Sequence, residues 1–334
     1  MRSRDFLHKH AETPLCEHYS AAGAVCSLST NSRQLLDTAR GSFLPVEPFP
    51  GPVDFHLRLW VDEADSAQPP WPNPYVRGID HCVFLGFDSG SSMLADLHTR
   101  RVIGRFSAAM AGNSAYWRTV IFPMLVSVLA GSVGLVELHA SCVARDRQGL
   151  VLIGPSRSGK STLALALSQA GFRLLSDDRT LCSFRQGKLQ AYGLPRPLKL
   201  RRDAASWFEE FHDRELIDVQ NGERVFYCEP NGRSGRQSLA ACEPQILLFL
   251  ERQQGFGFCM TPMARSEVRR RIELDLLAEG PTAIHRQEET LQNLVTLPSW
   301  QLRYGGSPQS IAKQIGIAFS SSSDASSTEL NYAS

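Results

Sequence analysis

Residues Gly154, Pro155, Ser156, Arg157, Ser158, Gly159, Lys160 and Ser161 follow the spacing G-x-x-x-x-G-K-[ST], with Thr162 next. No other feature of the 334-residue chain restricts its fold as tightly. The apolar run from Gly149 to Ile153 comes before it and reads as a strand; the good helix formers from Thr162 to Ala170 come after it. A strand, a glycine-rich turn and a helix in that order point successive backbone N–H groups and a helix N-terminus at an anion, the arrangement that cradles nucleotide phosphates. In such a P-loop, or Walker A element, Lys160 reaches the β- and γ-phosphates, and the Ser161 hydroxyl ligates Mg²⁺. The expected small molecules are therefore ATP and Mg²⁺.

A second polar signal stands just downstream. The helix is expected to stop at Gly171, and the strand Phe172 to Ser176 ends in Asp177 and Asp178. At a strand end two adjacent carboxylates can diverge, one toward a nucleotide's metal and one toward an incoming nucleophile. Phosphoryl transfer asks for both roles. A third acid competes with them. The run Ile246 to Leu250 also reads as a buried strand, and it ends in Glu251, as a water-activating Walker B element would.

Composition sets the limits. The charges balance, 35 Lys+Arg against 34 Asp+Glu, which removes any global argument for nucleic acid or an anionic membrane. The eight cysteines are scattered, without a C-x-x-C pair or histidines at zinc spacing, which suits a reducing, cytoplasmic setting. The stretch from Thr119 to Val136 lacks charge, yet Pro123, Gly131 and Gly134 interrupt it. A buried helix ending near Gly131, then a strand, is expected there rather than a membrane span.

The periodicities give an α/β chain, α+β overall, in two lobes. Residues 1–132 read as a loop-rich start and a small α+β lobe with an antiparallel sheet. Its elements are a short helix over Asn31 to Thr38, a strand over Asp54 to Val61, and a meander through Val83–Phe87, Met93–Leu97 and Val102–Phe106. Residues 133–319 hold the P-loop domain. It opens with strands over Val136 to Val143 and Leu150 to Ile153, and continues with a strand at Val225 to Cys228, helices from Ser266 to about Leu277 and over Gln287 to Val295, and a strand at Trp300 to Tyr304. The serine-rich residues 320–334 read as a disordered tail.

From His139 through the glycine-rich loop and Gly171 to Asp177 and Asp178, the order of elements resembles the HPr kinase/phosphorylase family, and specifically its HPr kinase-related members. The resemblance implies a P-loop kinase core of the type shared with phosphoenolpyruvate carboxykinase. It also implies roles: Asp177 as base toward a serine hydroxyl, Asp178 close to the metal, Lys160 on the phosphates and His139 lining the site. Arg196, in a Pro-Arg-Pro segment with Lys199 close behind, is a further phosphate-binding candidate.

The bifunctional enzymes' later motifs are absent: Gly193 to Leu200 and Glu229 to Arg236 differ from them. HPr itself and phosphorolysis are not implied. The leading reading is a kinase acting on a hydroxyl of a protein, peptide or small molecule. The alternatives are an ATPase or switch through Glu251, and a nucleotide-binding regulatory protein without chemistry. The sequence leaves open the acceptor and the oligomeric state, a homo-oligomer included.

Overall fold

The computed structural model describes residues 11–46, 52–62, 68–194, 197–218, 223–228, 239–272 and 280–324. It is a mixed α/β structure built on two large sheets and a small third one. The first large sheet has eight strands in the order Leu44–Pro45, Leu15–Ala21, Ala24–Thr30, Phe55–Asp62, Arg101–Ser107, Ser92–Asp96, Cys82–Gly86, Tyr75–Ile79. The meander lies where the sequence puts it. The sheet, however, is mixed rather than antiparallel, because Phe55–Asp62 runs parallel to both of its neighbours. Alternation marks a half-buried strand and carries no information on direction, so the pairing was not readable.

One face of this sheet buries Leu57, Leu59, Leu85, Met93, Val102 and Phe106 against the helical segment Ser114–Val133. That segment is long and apolar enough to cross a membrane. It carries a π turn at Trp117–Ile121, and Trp117, Ile121, Phe122, Leu125 and Leu129 are buried in the same core. Leu135, Leu181 and Leu194, from the second lobe of the sequence reading, also belong to this core, so the two lobes share packing.

The second sheet runs Arg173–Ser176, Ala140–Arg145, Gln148–Ile153, Ala241–Arg252, Lys188–Gly193, Thr180–Arg185, Val136–Leu138. The long strand Ala241–Arg252 forks it. Ala241 and Cys242 pair with Lys188–Gly193, whereas Leu247 to Arg252 pair in parallel with Ser299–Tyr304, whose far side takes Phe258–Pro262. Leu248 and Leu250 face the helices Lys160–Gln169 and Pro308–Asp324, and Leu247 and Phe249 face the helix Pro281–Leu294. The sheet is therefore covered on both faces.

Two local devices set the centre of this sheet. Ala140–Arg145 and Gln148–Ile153 form a hairpin whose turn residues, Asp146 and Arg147, both take positive φ (49° and 68°), as a two-residue turn between right-twisting strands requires. Helix Lys160–Gln169 ends as expected at Gly171, φ 102°. There the Phe172 N–H reaches the Leu167 carbonyl (3.0 Å) and the Gly171 N–H reaches Ser168 (3.2 Å).

Three sequence expectations change. The strand expected over Val136 to Val143 is broken at His139, and its halves pair with different strands, Thr180–Arg185 on one side and Gln148–Ile153 and Arg173–Ser176 on the other. The helix expected from Ser266 spans Arg265–Arg271, and 273–279 lie outside the described residues. Helix Pro308–Asp324 takes in the first five residues of the tail expected from 320; residues 325–334 are outside the described set.

Candidate active site

The glycine-rich loop joins the central strand Gln148–Ile153 to helix Lys160–Gln169, which is the arrangement expected from the spacing. Its shape depends on residues far from it in sequence. Tyr304 donates its hydroxyl to the Ser158 carbonyl at 2.6 Å from beneath the loop. Gly159, the N-cap, has φ 92°, and a Cβ there would stand 2.3 Å from the Tyr304 hydroxyl. Both conformation and space require glycine. A Cβ on Gly154 would meet Ser158 Oγ at 2.7 Å and the Leu250 carbonyl at 3.0 Å. Arg157, also at positive φ (69°), points into the opening above.

A cavity of about 330 Å³ lies over this loop. Ser156, Arg157, Gly159, Lys160, Ser161 and Thr162 line it from the loop side, and His139, Asp177 and Asp178 from the sheet. Lys199, Arg201, Glu223 and Arg252 close it, the first three from the small sheet of Leu198–Arg201, Arg224–Cys228 and Ile217–Asp218 or its approach. The break at His139 is what brings its ring here. The residue sits in a bend between two strands that are not neighbours in the sheet.

Within the cavity the polar groups are linked. Lys160 Nζ donates to the carbonyls of Gly154 (2.7 Å) and Pro155 (3.1 Å) and lies 3.1 Å from His139 Nε2. Burial holds its pKa below the ordinary 10.5, with Asp178 and then Asp177 pulling the other way. His139 Nδ1 lies 3.3 Å from Asp178 Oδ1. Asp178 takes positive φ (67°), and its carboxylate is half exposed.

Asp177 is the contrasting case, with 6% of its surface exposed. It accepts from Ser141 Oγ (2.7 Å) and from the Lys199 N–H (3.1 Å), and the Ser161 hydroxyl stands near enough to favour its charged form. Burial nonetheless outweighs these bonds and, with a smaller push from Asp178, raises its pKa above the ordinary 3.8. Asp177 and Asp178 also border a second, small space of about 60 Å³ with Thr119, Pro197, Lys199 and Tyr227.

The acidic pair is anchored from behind. Arg179 is paired with Glu137, whose side chain is fully buried and also accepts from Ser127 Oγ at 3.2 Å. Lys199 and Arg201 both pair with Glu223.

The hard oxygen donors present, the Ser161 hydroxyl and two carboxylates in one cavity, suit Mg²⁺. Among the described residues no group of three or more His, Cys, Asp or Glu forms a metal cage. That donor set fits a cation completed by phosphate and water rather than by protein.

Glu251 is outside this assembly. Its strand does adjoin the loop strand in parallel register, Ile153 beside Phe249. Alternation then turns Arg252 into the cavity and Glu251 to the other face, where the exposed carboxylate takes a hydrogen bond from Gln301 Nε2. Arg196 and the segment 229–236 fall outside the described residues.

Sequence reasoning passed over Glu137, Ser141, Arg179, Glu223 and Tyr304. One signal was present: Glu137, His139 and Ser141 recur at every second residue in an otherwise apolar stretch. The Tyr304 contact left no local trace.

No family model matches the chain, and no curated protein does. Among solved structures, the Hpr(Ser) kinase/phosphatase from Coxiella burnetii is similar to 56% of this chain and 98% of its own length, at 14% identity and a TM-score of 0.29. The likeness is distant in both sequence and shape.

Proposed function

We propose that this chain is an ATP- and Mg²⁺-dependent kinase that transfers the γ-phosphoryl group to a hydroxyl, serine or similar, of a protein, peptide or small molecule. The observation that carries the reading is the position of Asp177. This buried carboxylate lines the same cavity as the Ser161 hydroxyl of the glycine-rich loop and also borders a second small space. A nucleotide held over the loop and an acceptor hydroxyl entering by Thr119, Pro197 and Tyr227 would meet across it.

In this reading the loop amides and Lys160 hold the phosphates, and Lys160 exchanges its carbonyl partners for phosphate oxygens. Mg²⁺, when bound, would neutralise phosphate charge, with Ser161 and Asp178 as its protein ligands. Asp178 is the carboxylate that acts more strongly on Lys160, which supports placing it on the phosphate side. Asp177 takes the proton of the acceptor hydroxyl as the new O–P bond forms and the bond to the leaving ADP oxygen breaks. Its raised pKa brings it closer to the working pH of a general base. His139 bridges Lys160 and Asp178 and fixes their separation.

An ATPase acting through Glu251 is the second reading, favoured by the parallel adjacency of its strand and opposed by the direction of its side chain. Incubation with γ-labelled ATP and a panel of free serine, serine peptides and an HPr-like protein tests both. The expected result is label on an acceptor, lost in Asp177→Asn and kept in Glu251→Gln. Release of inorganic phosphate alone, lost in Glu251→Gln and kept in Asp177→Asn, would replace the kinase by the ATPase.

A further inference from the structure

Six of the eleven exposed large apolar side chains among the described residues, Tyr75, Val76, Ile79, Phe84, Leu94 and Ile103, fall on four adjacent strands of the first sheet. The clustering is set by register. Ile103 stands opposite Leu94, Leu94 opposite Phe84 and Phe84 opposite Arg77, so one straight row crosses the sheet. Arg58, opposite Ile103, ends the row on the other side. The opposite face of the same strands is the packed core, so this row is the solvent face. Its three apolar members are 51%, 38% and 43% exposed, which is unusual for consecutive partners in a sheet.

The row ends at an open edge. Tyr75–Ile79 is the last strand of the sheet; it pairs only with Cys82–Gly86, and all five of its residues are exposed. Its outer flank has no strand partner among the described residues. An edge of this kind is a template for an added strand unless the protein blunts it. Arg77, at its centre, supplies the guard: the guanidinium donates to the Val76 carbonyl at 2.7 Å and stacks 4.4 Å over the Tyr75 ring. No carboxylate pairs with it among the described residues.

Arg77 also selects the occupant. Two copies of the chain pairing antiparallel along the whole strand would set Arg77 opposite Arg77, and like charges directly opposite one another are destabilising. A strand with an acidic residue at that position gains what the second copy loses. We propose that the edge Tyr75–Ile79 is a docking site for an extended segment of a partner protein, apolar at alternate positions and acidic opposite Arg77. The added strand takes over the open backbone flank, and its outward side chains cover Tyr75 and Ile79 and extend the apolar row. This site is independent of the phosphate chemistry and uses none of its residues.

The test is fluorescence anisotropy of the full chain with three labelled seven-residue peptides of alternating valine and threonine. One has a central glutamate, one a central lysine, and one is the glutamate peptide with alternate amides N-methylated. The glutamate peptide is expected to bind, the lysine peptide roughly tenfold more weakly, and the methylated peptide not at all. Arg77→Glu, at an exposed position that leaves the thermal transition unchanged, is expected to invert the preference between the first two. Equal binding of all three peptides, or no binding of the glutamate peptide at millimolar concentration, overturns the proposal. So does a dimer in sedimentation equilibrium that Arg77→Glu fails to alter while peptide binding is absent, since that makes a second copy the occupant.

Discussion

The imidazole Nε2 of His139 lies 3.1 Å from the ammonium of Lys160. An ammonium can only donate, so this nitrogen accepts, and the ring proton is assigned to Nδ1, which faces Asp178 at 3.3 Å. One ring thus spaces a cation and an anion that would otherwise close on each other. His139→Gln keeps a hydrogen-bonding group but not both contacts. Transfer is expected to fall by about tenfold, or ~1.4 kcal/mol, with the thermal midpoint nearly unchanged. Equal losses in rate and in stability would make the histidine a packing residue.

Lys160 is held below its ordinary pKa by burial. The unfolded chain keeps the proton up to about 10.5, so the cost of burying the ammonium is full at neutral pH and is relieved as the pH rises through the lowered value. Lys160→Met is therefore expected to unfold at a higher temperature than the parent at pH 7, by a margin that narrows toward about pH 10. Its phosphoryl transfer should drop by at least ~10²-fold. Denaturation curves at the two pH values, beside a transfer assay, check both halves.

For Asp177 the sign is reversed. A carboxyl whose folded pKa is raised contributes stability fully below the unfolded value of 3.8 and loses it as the pH climbs through the folded value. At pH 7, above the unfolded value, the buried carboxyl is a burden that a neutral amide in its place would not carry. Asp177→Asn is expected to be the more stable protein at pH 7, with the difference closing toward about pH 4, and to lose ~10²–10⁴-fold in kcat with near-normal ATP affinity. Asp178→Asn should instead weaken Mg²⁺-dependent ATP binding. A variant at Asp177 that binds ATP poorly but turns over normally would exchange the two roles.

Arg179→Ala strands the buried Glu137 carboxylate behind the acidic pair. The cost is expected near the lower end of ~3–5 kcal/mol, because the arginine itself is partly exposed. Adding Glu137→Gln should return most of that loss, as measured by chemical denaturation of the two single variants and the double one. Additive losses would show that the pair is not coupled.

How much of this was legible follows from where each constraint lies along the chain. The loop, its strand and helix, the glycine stop and the acidic pair are consecutive, and each carries a local physical requirement. The parallel pairings of Phe55–Asp62 and the fork at Ala241–Arg252 join segments with no shared local signal. Val136 to Val143 reads as one strand because its apolar residues continue through His139, and only the competition between two distant pairings breaks it. The direction of Glu251 was fixed by parity once its neighbours were known, but parity needs a reference face that the sequence does not supply.

Tyr304→Phe removes the hydroxyl that holds the Ser158 carbonyl. A loss of ~0.5–1.5 kcal/mol in stability is expected, with a larger proportional loss in nucleotide affinity, read by calorimetric titration. Unchanged affinity would mean that the loop keeps its shape without the bond.

That bond spans 146 residues. On the ribosome the loop sequence emerges well ahead of Tyr304, and its helix can form at once, but its support arrives only with the strand that carries Tyr304. A nascent chain therefore exposes the glycine-rich loop for most of the synthesis of this half of the protein without the tyrosine that holds its shape. The loop gains that support only when Ser299–Tyr304 is in place against Ala241–Arg252.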